Sequence, residues 1–424
     1  MSTILENERK DWLYIILSPI AGFLLVGIYW LLTILIPTNQ LFATTITFVV
    51  YTVFFDIRHL FSTYARTYLD SSYLKENKRW LHVSFAFLIL VPFAVFGLFS
   101  QSENGWYQSG VLLTYMLRFT SVLGLYHLVK QNWGFMAIYK KKMNEPMDSV
   151  DKWEKWMLLS GSFLPLIIIS IVYSHWFPHE VYFIAPTDPN WSAIVLKTWS
   201  ELSFYSLIVG VFLAAVGWMK NTRVQFKYVA RNLGVLFFGI FVLIQSLLKN
   251  GNGILYVLLY VVILLFIISS IIVFKNTQKQ KNINTKKWAV MLTSFILYWG
   301  IILLPIENKL IIVIAITLPH NIQYLKFVNV FSKKYYSSSQ KNHGLARLMV
   351  EKVSLFVALS FVYAIVYEVL RTGSKFITFT SNEQHLYMLQ NGIAIFFMLM
   401  SLHHYYLDAV IWRVRKDDAI KTSV

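Results

Sequence analysis

The chain has 424 residues, 57% of them hydrophobic and only 14% charged, with a mean hydropathy of +0.55. A soluble domain carries about 25% charged residues, so this chain is short of polar surface, and repeated apolar runs of bilayer length account for the deficit. Cysteine is absent, which excludes disulfides, thiolate metal sites and cysteine nucleophiles. The net charge of +17 is spread between the apolar runs rather than gathered in one patch, so nucleic acid is not an expected partner.

The first ten residues, "MSTILENERK", are polar and mixed in charge, and the span that follows them is expected to be retained. In chain order, hydropathy predicts about twelve transmembrane helices, near 12–36, 41–62, 80–100, 107–130, 154–176, 199–219, 229–248, 253–274, 288–306, 310–330, 351–370 and 385–412. The expected fold class is therefore all-α, a polytopic membrane helix bundle. The stretch "KNTQKQKNINTKK" at 275–287 reads as a flexible cytoplasmic linker. It divides a single integral-membrane domain, 1–424, into spans one to eight (12–274) and nine to twelve (288–412). The loop at 177–198 is rich in aromatics and proline and reads as interfacial.

Of the 38 lysines and arginines, 31 fall at the N-terminus, after even-numbered spans or in the C-terminal tail, and five (Lys197, Lys249, Lys309, Arg371, Lys375) fall on the other side. The positive-inside rule then puts both termini in the cytoplasm, in a multi-pass protein of the cell (inner) membrane.

Four of the even-numbered spans carry histidine: "RHLFSTYART" (His59), "YHLVKQNWG" (His127), "TLPHNIQY" (His320) and "SLHHYYLDAVIWRVRK" (His403 and His404). Ionisable residues inside spans are costly and mark functional sites, and all four spans run in one direction. Three of the positions fall about 27–30 Å into their spans at 1.5 Å per residue, so the histidines can converge in the cytoplasmic half of the bilayer. Imidazoles on facing helices of a bundle are a metal-binding arrangement. Residues three or four apart share a helix face, which makes Asp56, Gln131 and Gln323 candidates to orient His59, His127 and His320. Asp408 stands in the same relation to His404, and Tyr324, Tyr405 and Asp408 are the catalytic candidates. Consecutive helical residues diverge by about 100°, so His403 and His404 face different ways; both are candidate ligands, and Asp408 favours His404. His82, His175, His179, His343 and His385 lie at span ends or in loops and read as interfacial or solvated.

At "TLPHNIQY" and "HHYYLDAVIW" the chain resembles the Brp/Blh family, integral-membrane carotene dioxygenases with Pro-His and His-then-Asp elements on late spans. The resemblance implies an iron oxygenase whose histidines on several spans hold a non-haem iron. The whole reading is a membrane oxidoreductase or oxygenase with a histidine-ligated transition metal: iron first, with copper and zinc as alternatives. Its expected partners are a hydrophobic or lipid-soluble small molecule, membrane lipids and an electron donor. The rival is a proton-coupled secondary transporter that uses the same buried His and Asp residues.

Overall fold

Short polar residues start the helices where hydropathy changes. Asn7 accepts from the Lys10 amide at 2.9 Å, and Asp70 accepts from those of Ser72 and Tyr73, both at 3.1 Å. Asn284 caps Lys287 at 3.2 Å, and Asn308 caps Leu310 at 3.1 Å. Each occupies an amide that the first helical turn leaves without a partner. The structure, a computed structural model, describes residues 4–5, 7–37, 40–100, 105–145, 150–172, 252–280, 282–306, 308–373 and 383–411. Every regular element among them is helical.

The helices are α1 (Glu8–Ile16), α2 (Pro19–Leu35), α3 (Gln40–Tyr68), α4 (Ser71–Leu98), α5 (Gly105–Lys142) and α6 (Val150–Val172). Then come α7 (Asn252–Thr277), α8 (Thr285–Ile302), α9 (Lys309–Ser338), α10 (Leu345–Glu351), α11 (Val353–Gly373) and α12 (Glu383–Ile411). These labels are not a span count. Among the described residues five helices, over Gln40–Tyr68, Ser71–Leu98, Leu258–Thr277, Lys309–Ser338 and Met388–Ile411, are long and apolar enough to cross a membrane. Two bent pairs raise that to seven: α1 with α2 at 50°, and α10 with α11 at 117°. Leu24, Ile34, Phe87, Leu98 and Val369 are all more than half exposed. So much uncovered apolar surface is what a lipid-facing wall requires. The expected spans 199–219 and 229–248 and the loop 177–198 lie outside the described residues.

Met1–Ser162 and Ser269–Val424 form one compact unit and Phe163–Ile268 a second. In the first unit α12 packs on α5, α9 on α2, α8 on α5 and α11 on α3, while α3 also touches α9 and α12, and α9 touches α5. Pro319 lies inside α9. Having no N–H, it cannot bond the Ala315 carbonyl four residues back. Gly22 of α2 comes up to that carbonyl: a Cβ there would lie 2.4 Å from the Ala315 oxygen. The glycine thus permits the close approach of α2 to α9.

Two readings of polar sequence change here. The stretch 275–287, expected to be a flexible linker, is helical to Thr277 and again from Thr285, with a turn at 278–279. Glu145 receives Gln280 at 3.1 Å, Asn284 at 3.2 Å and the Lys287 ammonium. Lys287 also reaches Glu154 at 2.8 Å, and Lys140 reaches Asp151 at 2.5 Å and Glu154 at 3.0 Å. Of the linker's cations, Lys287 is buried against Glu145 and Glu154 and Lys286 against Glu8 and Asp11, at 3.7 Å each, while Lys275 and Lys279 stay exposed. His343, read as a solvated loop residue, is also buried. Its Nδ1 lies 2.9 Å from Asp70 Oδ1 and its Nε2 2.7 Å from Ser339 Oγ. The α9–α10 connection is thereby tied to the start of α4.

Candidate metal centre

On an α-helix, residues four apart lie one above the other. Three of the histidine helices use that spacing alike: His59 with Thr63 on α3, His320 with Tyr324 on α9, and His404 with Asp408 on α12. The three oxygen-bearing residues meet. Thr63 Oγ1 and Tyr324 Oη are 2.6 Å apart, and they approach Asp408 Oδ1 at 2.9 and 2.8 Å. One turn away lies a layer of imidazoles. The ring of His59 is 4.7 Å from that of His320, 4.5 Å from His404 and 6.4 Å from His127, the residue contributed by α5.

The hydroxyls occupy Oδ1 of Asp408, while Oδ2 faces the imidazole layer. It lies 3.5 Å from His404 Nε2, 3.6 Å from His127 Nε2 and 3.9 Å from His59 Nε2. Ligand atoms of His59, His127, His404 and Asp408 all lie within 4.8 Å of one another, and the group could hold a metal ion. Around an ion bonded at about 2.0–2.1 Å in tetrahedral geometry, adjacent donors stand about 3.4 Å apart, which these separations approach.

Fit to a metal rests on the ring nitrogens. His59 Nε2, His127 Nε2 and both ring nitrogens of His320 and His404 are buried without a hydrogen-bond partner. Buried polar atoms are ordinarily satisfied, and such a concentration calls for a missing partner. Three imidazoles and a carboxylate suit a divalent first-row transition ion. His320 adjoins this group without belonging to it.

The remaining sequence candidates divide. His403, considered as a ligand, turns away from the centre: its Nδ1 is 3.0 Å from Tyr64 Oη and its Nε2 3.2 Å from Ser84 Oγ. The 100° between neighbouring helical residues is the reason. Asp408 is not behind His404 as an orienting acceptor but beside the imidazole nitrogens. Gln131 donates to Gln323 at 3.0 Å and to the His320 carbonyl at 3.2 Å, and Gln323 donates to the Ile15 carbonyl at 2.8 Å. Both glutamines join helices rather than hold rings, because amides this close satisfy each other. Asp56 accepts from Tyr51 at 2.9 Å and Asn321 at 3.3 Å. Asn321 also pairs with His59, so Asp56 acts on that ring through an amide. Tyr405 stacks on His127 with centroids 4.5 Å apart.

Sequence reasoning passed over Thr63 and Asn321. Thr63 carries the same four-residue offset as Tyr324 and Asp408, and Asn321 directly follows His320; those signals were available.

Two cavities adjoin the centre. The larger, about 630 Å³, is walled by His127, Tyr324, Tyr405 and Asp408 at its polar end and otherwise mainly by apolar residues such as Leu123, Phe135 and Phe327. The smaller, about 60 Å³, lies among Asp56, His59, His127, His320 and His404. The two share His127 and Tyr405. No family model, curated protein or solved structure matches the chain.

Proposed function

We propose that the chain is an integral-membrane, metal-dependent oxidoreductase of the oxygenase type, acting on a hydrophobic substrate. One observation carries the reading: His127 and Asp408, members of the candidate ligand group, also form the wall of a 630 Å³ apolar cavity. A molecule in that cavity lies against the centre. His59, His127, His404 and Asp408 are the ligands, and His320 stands beside them. Tyr324 and Thr63 hold one oxygen of Asp408, leaving the other directed at the ion. The ion, when bound, supplies Lewis acidity and redox capacity. Leu123, Phe135 and Phe327 orient the substrate by burial and exclude water. The smaller cavity, with room for about two waters at 30 Å³ each, suits a diatomic co-substrate such as dioxygen.

The proposed metal is iron, in keeping with the resemblance of "TLPHNIQY" and "HHYYLDAVIW" to Brp/Blh enzymes and with a histidine-and-carboxylate donor set. An electron donor completes the reaction if the substrate does not supply the electrons itself. The proposed membrane arrangement is twelve spans with both termini in the cytoplasm, based on the 31-to-5 distribution of cationic residues.

Proton-coupled transport is the weaker reading. The same buried His and Asp residues could pass a proton directly or through one water, but a relay gives no role to the apolar cavity that His127 and Asp408 wall. The deciding experiment is metal analysis of the detergent-purified chain, with oxygen uptake on a panel of apolar substrates. About one transition ion per chain with substrate-dependent uptake supports the enzyme. A folded chain that binds no metal when iron, copper or zinc is supplied would rule it out.

A further inference from the structure

A third cavity, about 450 Å³, lies between α3, α9, α10 and α11, and none of its lining residues lines the 630 Å³ cavity. Its polar side carries Arg58, Arg66 and Lys326, and no carboxylate lines it. Arg66 is engaged with Asp70 at 3.8 Å. The other two cations meet aromatic rings: Arg58 lies 5.4 Å from the Phe54 centroid and Lys326 5.1 Å from that of Tyr14. Among the described residues neither forms an ion pair, and Arg58 Nε is buried without a hydrogen-bond partner.

Phe54 of α3 and Val353, Phe356 and Val357 of α11 also line it, and Phe54, Val353 and Val357 are 47%, 44% and 40% exposed. The cavity therefore combines cations with apolar residues open to the surroundings. Leaving two cations beside apolar walls without a counter-ion is costly, and an anion that brings its own hydrocarbon satisfies both halves at once.

We propose that this cavity is a binding site for an acidic phospholipid, with the headgroup phosphate at Arg58 and Lys326 and an acyl chain along Val353, Phe356 and Val357. The charge complementarity selects an anionic headgroup, and the exposed apolar residues select a lipid over a free anion. The occupant lies against α3 and α9 beside the helix positions that carry His59 and Tyr324, but does not enter the metal centre.

The test uses the full chain purified in mild detergent. Native mass spectrometry and lipid extraction would be run on wild type, on the double variant Arg58→Gln/Lys326→Gln, and on Val357→Trp, which fills the acyl side without changing charge. Retained phosphatidylglycerol should fall about tenfold to thirtyfold in the double variant, since each cation near an anionic lipid contributes about 1 kcal/mol and 1.4 kcal/mol is about tenfold. It should also fall in Val357→Trp, and phosphatidylcholine vesicles should not restore occupancy where phosphatidylglycerol vesicles do. Equal retention of phosphatidylglycerol by wild type and a folded double variant would overturn the proposal, as would equal retention of the two lipids by wild type. Displacement of the lipid by millimolar inorganic phosphate would also overturn it, since the site would then be one for a free anion.

Discussion

Tyr324 donates its phenolic hydrogen to Oδ1 of Asp408 at 2.8 Å, and so leaves Oδ2 of the same carboxylate facing three imidazoles. One oxygen is held and the other is presented. Tyr324→Phe removes one of the two hydrogen bonds to that oxygen, leaving the one from Thr63, and keeps the ring; losing such a supporting hydrogen bond typically lowers metal affinity or activity about 10–100-fold. Asp408→Ala should lower it further, and Asp408→Asn should fall between the two. Titration of each purified variant with ferrous iron and zinc measures the order; a Tyr324→Phe loss equal to that of Asp408→Ala would contradict it.

His403 and His404 separate structure from ligation. His404→Ala should abolish stoichiometric metal with modest change in folding. His403→Ala should keep metal binding while losing contacts to Tyr64 and Ser84, a destabilisation of about 1–3 kcal/mol for buried partners left unsatisfied. Metal content and thermal midpoint in one detergent, read side by side, check both. The opposite pattern would mean that α12 presents its other face to the centre.

Gly22 offers a test of packing remote from the metal. A methyl group there meets the Ala315 oxygen, part of the backbone, at 2.4 Å. Gly22→Ala should lower the thermal midpoint, and Gly22→Val should lower it more, since α2 must move away from α9. Gly27, around which nothing lies within 4 Å of a built Cβ, is the matched control: Gly27→Ala should be tolerated.

The buried ion cluster beneath α5 predicts a pH window. Burial alone would raise the pKa of Glu145, but the hydrogen bonds from Lys287 and Gln280 and the charges of Lys287 and Lys140 together outweigh that and hold the carboxyl below its ordinary 4.5. Burial alone would lower Lys140, but its bond to Asp151 and its attraction to Glu154 outweigh that and raise it above 10.5. The Glu145 contribution is therefore present above pH 4.5 and lost as pH falls through the depressed value. The Lys140 contribution is present below pH 10.5 and lost as pH rises through the raised one. Thermal midpoints should form a plateau between those limits, and Glu145→Gln should remove part of the acid-side decline. Lys287→Met, which leaves Glu145 and Glu154 short of a cation, should cost about 3–5 kcal/mol.

The all-helical class, the membrane-spanning character and the meeting of histidines from α3, α5, α9 and α12 were legible because spacing and hydropathy act along one helix at a time. The oxygen triangle of Thr63, Tyr324 and Asp408 was not. Each member looks ordinary alone, and the pattern exists only when three helices are superposed. His343 and Lys287 misled for the same reason: their partners, Asp70 and Glu145, lie far away in sequence, and a polar neighbourhood read locally looks solvated.

The 630 Å³ and 60 Å³ cavities have only His127 and Tyr405 in common, so this stacked pair stands where the two meet. On the oxygenase reading proposed above, a substrate in the larger cavity and a small co-substrate in the smaller one would not queue behind one another. That reading predicts no compulsory order of addition, with the half-saturation concentration of the smaller reactant unchanged by saturation with the larger. Opening the boundary between the cavities, as Tyr405→Ala would, should convert independence into competition.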